Sequence, residues 1–110
     1  MRDSSTIGEF EVMVLLAVLH IGKEAYPVPV RREIEDRTGR KVSRGAIYVT
    51  LDRLEAKGLV ESWLDDPSPD RGGKPNRYYR VEPAGRKALR ESARAMRKMW
   101  TGLETKLGEL

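Results

Sequence analysis

The stretch from Ser43 to Gly58 constrains the fold most, because it brackets one helix at both ends. Ser43 is a preferred N-cap residue, whose hydroxyl can accept an otherwise orphaned backbone N–H. Gly58 supplies the left-handed stop, and Ile47, Leu51 and Leu54, spaced by four and three, give the segment one apolar face. The spacing predicts a helix from Arg44 to about Lys57. A second short, charged helix precedes it. Pro29 stands at an early helical position where its missing donor does little harm, and Val30, Ile34 and the stem of Arg37 form the inner face up to Gly39. Two helices joined across Gly39-Arg40-Lys41-Val42 make a helix-turn-helix.

The flanking sequence extends this unit. Thr6-Ile7-Gly8-Glu9 reads as a capping box, and Phe10, Met13, Val14, Ala17, Val18 and Ile21 recur at helical spacing up to Gly22. After Gly58, Leu59–Leu64 and Arg77–Val81 read as two strands around a polar loop rich in Asp, Pro and Gly, which describes a wing. Tyr78 and Tyr79 point to opposite sides of their strand, one inward and one toward the open side. From Pro83 or Ala84 a long helix is expected to reach Leu107 or the terminus, weakened toward its end by Gly102 and Gly108. Its stripe of Leu89, Ala93, Met96, Trp100, Leu103, Leu107 and Leu110 is spaced 4, 3, 4, 3, 4, 3. The expected fold is therefore mainly α with a two-stranded wing, a winged helix-turn-helix over residues 1–82 and a C-terminal dimerisation helix over residues 83–110. Phe10 and Val14 of the first helix join Leu89, Ala93, Met96, Trp100, Leu103 and Leu107 as the expected dimerisation set.

Charge narrows the partner. Residues 1–36 carry a net −3, residues 37–80 a net +4 and residues 81–110 a net +3. A basic middle behind an acidic start suggests a side that faces a polyanion, and a merely solvated basic surface explains the same numbers. Cys is absent, so thiolate metal sites, disulfides and cysteine nucleophiles are excluded. His20 is the only histidine and has no companion ligands, so no metal and no cofactor is expected. No nucleophile signature or phosphate-cradling glycine motif occurs, and the chain reads as a non-enzyme. Met1–Thr6 has no secretory pattern and Val12–Leu19 is too short to span a bilayer, so a cytoplasmic protein without membrane contact is expected.

A helix that enters the major groove of duplex DNA presents its N-terminal donors and outward side chains to phosphates and base edges. On the third helix these are Ser43, Arg44, Gly45, Tyr48, Val49 and Arg53. Arg44 is assigned to phosphate or base-edge contact, Tyr48 to phosphate contact through its hydroxyl, and Val49 to a thymine methyl. In the wing, Arg71, Lys74 and Arg77 can neutralise phosphates or reach the minor groove, with Asp65, Asp66 and Asp70 turned away. Ser43 as a simple cap and Tyr48 as an edge-of-core ring stand open beside those assignments. Trp100 likewise has two readings. It anchors the dimer stripe, or with Met96 and its symmetry mate it lines an apolar pocket for a flat ligand.

Five stretches together resemble the PadR-like family of bacterial transcriptional regulators. They are Gly8–Val12 with Val14–Leu16, Ser43–Tyr48, Leu51–Val60, Gly72–Tyr79 and Pro83–Leu89. The resemblance implies a homodimer with its third helix in the major groove, its wing on the backbone, and C-terminal helices packed on the partner's first helix. It also implies repression of an inverted-repeat operator, relieved by a small hydrophobic or aromatic effector, and places Trp100 where some relatives hold drugs between tryptophans. Tyr26-Pro27-Val28-Pro29 departs from the family's usual entry to helix two, and Val49 stands where a basic residue is common. A winged-helix protein-interaction or architectural module without sequence-specific DNA binding is the competing reading.

Overall fold

The computed structural model describes residues 6–67 and 69–108 and runs α1 (Glu9–Ile21), a 3-10 turn (Gly22–Glu24), α2 (Pro27–Thr38), α3 (Arg44–Ala56), β1 (Val60–Leu64), β2 (Arg77–Val81), α4 (Pro83–Trp100) and α5 (Glu104–Leu107). This is a mainly helical winged helix-turn-helix, as the sequence predicts. The secretory reading of Met1–Thr6 concerns residues that, Thr6 apart, lie outside those described.

The core forms where α1, α2 and α3 meet the wing. Val14, Leu15 and Val18 of α1, Val30 and Ile34 of α2, and Ile47, Leu51 and Leu54 of α3 are buried together. β1 and β2 pair antiparallel, with Val60 opposite Val81, Ser62 opposite Tyr79 and Trp63 opposite Tyr78. Alternation sends Val60, Tyr79 and Val81 into the core and leaves Trp63 and Arg80 on the far face. The two-stranded sheet gains support because the Tyr79 N–H donates to the Ala25 carbonyl (2.8 Å) at the entry to α2. Tyr79 is thus the inward tyrosine. Tyr78 lies between Tyr26, edge-on at 5.7 Å, and Trp63, stacked at 6.1 Å.

Three expectations change. First, α1 begins at Glu9, not before it. Gly8 is the N-cap, and Glu11 rather than Glu9 reaches back to accept the Gly8 N–H (2.9 Å). Glu9 instead pairs with Arg40 across the molecule (2.5 Å). Second, Pro27 joins Pro29 inside α2, occupying the first helical position, where no intrahelical donor is needed. Third, the C-terminal helix does not run unbroken to Leu107. Thr101 is extended (ψ 128°) and Gly102 takes φ +90°, so α4 stops at Trp100 and Leu103 and Leu107 lie beyond the break. The periodicity carried across that break because Leu103 and Leu107 keep the spacing by count alone; Leu110, the last of the stripe, lies outside the described residues.

The dimerisation set divides in the same way. Val14 and Leu89 are buried within the chain's own core, Val14 fully and Leu89 with 8% of its surface exposed, so they leave little for a second subunit. Phe10 packs against that core while partly exposed, and Ala93, Met96 and Trp100 stand outside it. Exposures of 59% for Met96, 75% for Met99 and 44% for Trp100 leave the outer half of α4 with an uncovered apolar face.

Candidate nucleic-acid interface

Helix α3 is held by its inner face and open on its outer one. Ile47, Thr50, Leu51 and Leu54 are buried, whereas Arg44, Gly45, Tyr48, Val49, Asp52 and Arg53 are exposed. Tyr48 is 50% and Val49 55% exposed, so each keeps about half of its surface open. Ser43 caps the helix as expected, its hydroxyl accepting the Ala46 N–H (3.1 Å). The cap takes one orphan donor and leaves the first turn's other N–H groups and dipole directed outward beside Arg44. Arg53 stands at the α1 edge of the strip, where its charge also acts on Glu11.

What aims α3 is a brace that the sequence did not reveal. The Arg31 Nε–H donates to the Val42 carbonyl (2.6 Å), and the Val42 N–H donates to Glu35 Oε2 (2.9 Å). Arg31 and Glu35 are themselves 3.7 Å apart, one turn of α2 from each other. Both hydrogen-bonding groups of Val42, the last residue before the cap, are thereby fixed to α2. Their i,i+4 spacing was visible, but its target depends on how α2 and α3 cross. Beside the brace lies a cleft of about 280 Å³ whose walls include Arg31, Arg32, Arg44 and Tyr48. Arg31 and Arg32 were missed as site residues because α2 reads simply as a charged helix.

A second tie joins the far end of α3 to α1. Lys57 Nζ donates to Glu11 Oε2 (2.8 Å). Burial alone would push the Glu11 carboxyl up, but the Lys57 hydrogen bond, the Gly8 N–H and the charges of Lys57 and Arg53 outweigh it and hold the group below its ordinary 4.5. The folded state therefore binds fewer protons at this site than the unfolded chain in that range. The stability it contributes is full at neutral pH and is lost as pH falls from 4.5 through the lower folded value. Glu11→Gln should lower stability at neutral pH by about 1–3 kcal/mol and flatten the fall as pH drops below 4.5, as read by urea unfolding.

The wing is tied to α3 and closed at its base. Arg77 Nη1 donates to Ser62 Oγ (2.9 Å), and Ser62 Oγ donates to Glu55 Oε2 (2.5 Å), so Arg77 sits on the α3 side of the sheet. Asp65 accepts the Asn76 N–H (2.6 Å) and the Tyr78 hydroxyl (3.3 Å), while its own N–H donates to the Asn76 carbonyl (2.9 Å). Asp65 thus closes the loop, a role its charge did not suggest. Between these ends the loop makes a 3-10 turn at Pro69–Arg71, and Lys74 is exposed. The side chain of Arg71 lies outside the described residues.

Among the described residues no group of three His, Asp or Glu side chains could hold a metal ion, and no helix is long and apolar enough to cross a membrane.

Residues 15–91 match the model of a family described as "Transcriptional regulator PadR-like family". The chain is 40% identical over 88 residues to "Transcriptional regulator Rv3488" of Mycobacterium tuberculosis, a match covering 78% of each chain. In structure it is similar to a PadR family transcription regulator from hypervirulent Clostridium difficile R20291, with a TM-score of 0.74 and 20% identity, over 92% of this chain and all of that one. A PadR family transcriptional regulator from Eggerthella lenta DSM 2243 matches with a TM-score of 0.69 and 26% identity, over 91% of this chain and 87% of that one.

Proposed function

The chain belongs to the PadR-like family of transcriptional regulators, not to an enzyme family, and from that premise we propose that it works as a homodimeric repressor of an inverted-repeat operator. In each subunit α3 enters the major groove. Arg44 contacts phosphate or a guanine edge, Tyr48 contacts phosphate, Val49 meets a thymine methyl, and the Ser43–Gly45 turn offers backbone donors. Arg31 and Arg32, across the cleft from Arg44, add phosphate contacts from α2. Arg71, Lys74 and Arg77 bring the wing to the backbone or minor groove, and Arg53 takes the α1 edge of the strip.

One observation carries the reading: α3 is braced at the Val42 turn and buried on one side, while Arg44, Tyr48 and Val49 remain open on the other. A protein-interaction module has no need of so basic a cleft beside a helix N-terminus. Dimerisation rests on the uncovered Met96, Met99 and Trp100 of α4 with Phe10 of α1, since monomers rarely leave such a run in water. In that dimer Trp100 and Met96 of both subunits border the site for a small hydrophobic or aromatic effector, whose binding changes the separation of the two α3 helices. The protein acts in the cytoplasm, where the DNA is.

Selection of bound fragments from random duplex DNA tests this directly. A palindrome with half-sites about 34 Å apart, or a multiple of that, is expected. Arg44→Ala should weaken operator binding by about 10- to 100-fold. Lys74→Ala should weaken all duplexes alike and lower the salt slope by about 1. Selection without any enriched sequence would favour the interaction-module reading.

A further inference from the structure

Helix α4 concentrates charge in a way the recognition surface does not use. It carries Arg86, Lys87, Arg90, Arg94, Arg97 and Lys98 against the single carboxylate of Glu91, a net +5 where the whole chain has +4. At 3.6 residues per turn these six cations share roughly one third of the helix circumference and extend along roughly 18 Å of its axis. All six are exposed, and none is ion-paired among the described residues. Elsewhere the cations divide: Lys23, Arg32, Lys41, Arg44 and Arg53 also have no ion pair among the described residues, and five others are paired. Arg31, Arg37, Arg40, Lys57 and Arg80 each face a carboxylate: Glu35, Glu33, Glu9, Glu11 and Glu61 respectively.

A solvated helix would be expected to alternate charge signs, because like charges three and four apart repel. Here Arg86–Arg90, Arg90–Arg94 and Arg94–Lys98 are like-charged at i,i+4, and Arg94–Arg97 at i,i+3. Such crowding is relieved by a polyanion. The apolar residues Leu89, Ala93, Met96 and Trp100 lie on another side of the helix, so covering them with a second subunit leaves the basic sector in water. The sector also belongs to a different element, with different neighbours, from the α3 strip. Helix α4 packs on α1 and β2, whereas α3 packs on α2, α1 and β1.

We infer that the basic sector of α4 is a second duplex-binding surface, which grips phosphates without reading sequence and lets one dimer hold two DNA segments. It rests on the proposed reading only in taking duplex DNA as the ligand. Regular phosphate charge along a duplex complements a straight row of cations, and guanidinium groups, four of the six, suit phosphate oxygens. The consequence is bridging or looping of DNA around an operator.

The test uses the full chain, two short random-sequence duplexes carrying a donor and an acceptor dye, and an operator duplex. At low salt the wild-type protein should bring the two dyes together, and raised salt should abolish this before operator binding is lost. Arg90→Gln/Arg94→Gln/Arg97→Gln, which keeps good helix formers, should remove the energy transfer and lower the salt slope for random duplex by about 2–3. Circular dichroism checks that α4 remains folded in the variant. Arg44→Ala should lose operator preference and keep the transfer, so the two surfaces fail separately. An unchanged slope and transfer in the triple variant would overturn the inference. So would α4-dependent binding to phosphatidylglycerol vesicles with no bridging of duplexes, which would assign the sector to a membrane surface.

Discussion

Tyr79→Ala is expected to destabilise the protein by about 3–5 kcal/mol, a large part of the 5–15 kcal/mol typical of a domain. The ring is the first of the fully buried side chains by volume, and it belongs to the core where the wing meets the helices. Burial pushes its phenol above 10.0, the nearby Asp52 carboxylate adds to this and the charge of Arg77 opposes it. The residue's backbone also carries the bond to Ala25 that gives the wing its support. Truncation therefore opens a cavity in the core that the wing shares with the helices. Tyr79→Phe keeps the ring, and because the hydroxyl makes no hydrogen bond among the described residues it should lose less than about 0.5 kcal/mol. Urea unfolding of both variants, with operator binding measured alongside, reads the difference. If Tyr79→Ala loses less than about 1 kcal/mol, the ring is not packed in the core in the way described.

That tyrosine also shows where sequence reasoning stops. Alternation predicted that Tyr78 and Tyr79 face opposite ways, but period two does not say which face is the core until the sheet is laid on α3. The Ser43 cap was legible because its bond spans only three residues and needs no tertiary information. The N-terminal cap was misplaced for a related reason. Glu9 and Glu11 both sit near the helix start, and only the tie from Glu11 to Lys57, 46 residues away, selects the second. Periodicity carried the stripe of α4 past Thr101 because Leu103 and Leu107 fall in register by count, although Gly102 already marked a weak point.

The candidate site was legible in its outward residues and not in what holds them. Arg44, Tyr48 and Val49 follow from the complement of the Ile47, Leu51 and Leu54 face, which is a property of one helix. The Arg31–Val42–Glu35 brace and the Asp65 closure of the wing join segments whose approach is set by the whole fold. Charged side chains that read as solvated surface thus fix the two parts of the interface. Operator recognition on this view depends on residues that touch no DNA base as much as on those that do.

The same dependence makes Gly85 the position where the smallest change should do most harm. A Cβ added there would lie 2.3 Å from the Leu59 carbonyl oxygen and 2.7 Å from Val81 Cγ1. The Val81 methyl can shift, but the Leu59 oxygen belongs to backbone that already accepts the Glu82 N–H (2.9 Å) at the junction of β2 and α4. Gly85→Ala must therefore displace the first turn of α4, and with it Ala88 and Leu89, from the core. Overpacking of this kind costs about 1–3 kcal/mol where side chains can yield, and about 3 kcal/mol or more is expected against fixed backbone. Gly45→Ala is the matched control. Nothing lies within 4 Å of its added Cβ, and alanine favours a helix over glycine by about 1 kcal/mol, so that variant should fold at least as well as wild type. Any loss of operator binding in Gly45→Ala then reports on close approach to DNA, whereas Gly85→Ala should shift the urea midpoint first and binding only as a consequence. Equal midpoints for Gly85→Ala and wild type would mean that α4 does not lie against the Leu59 turn.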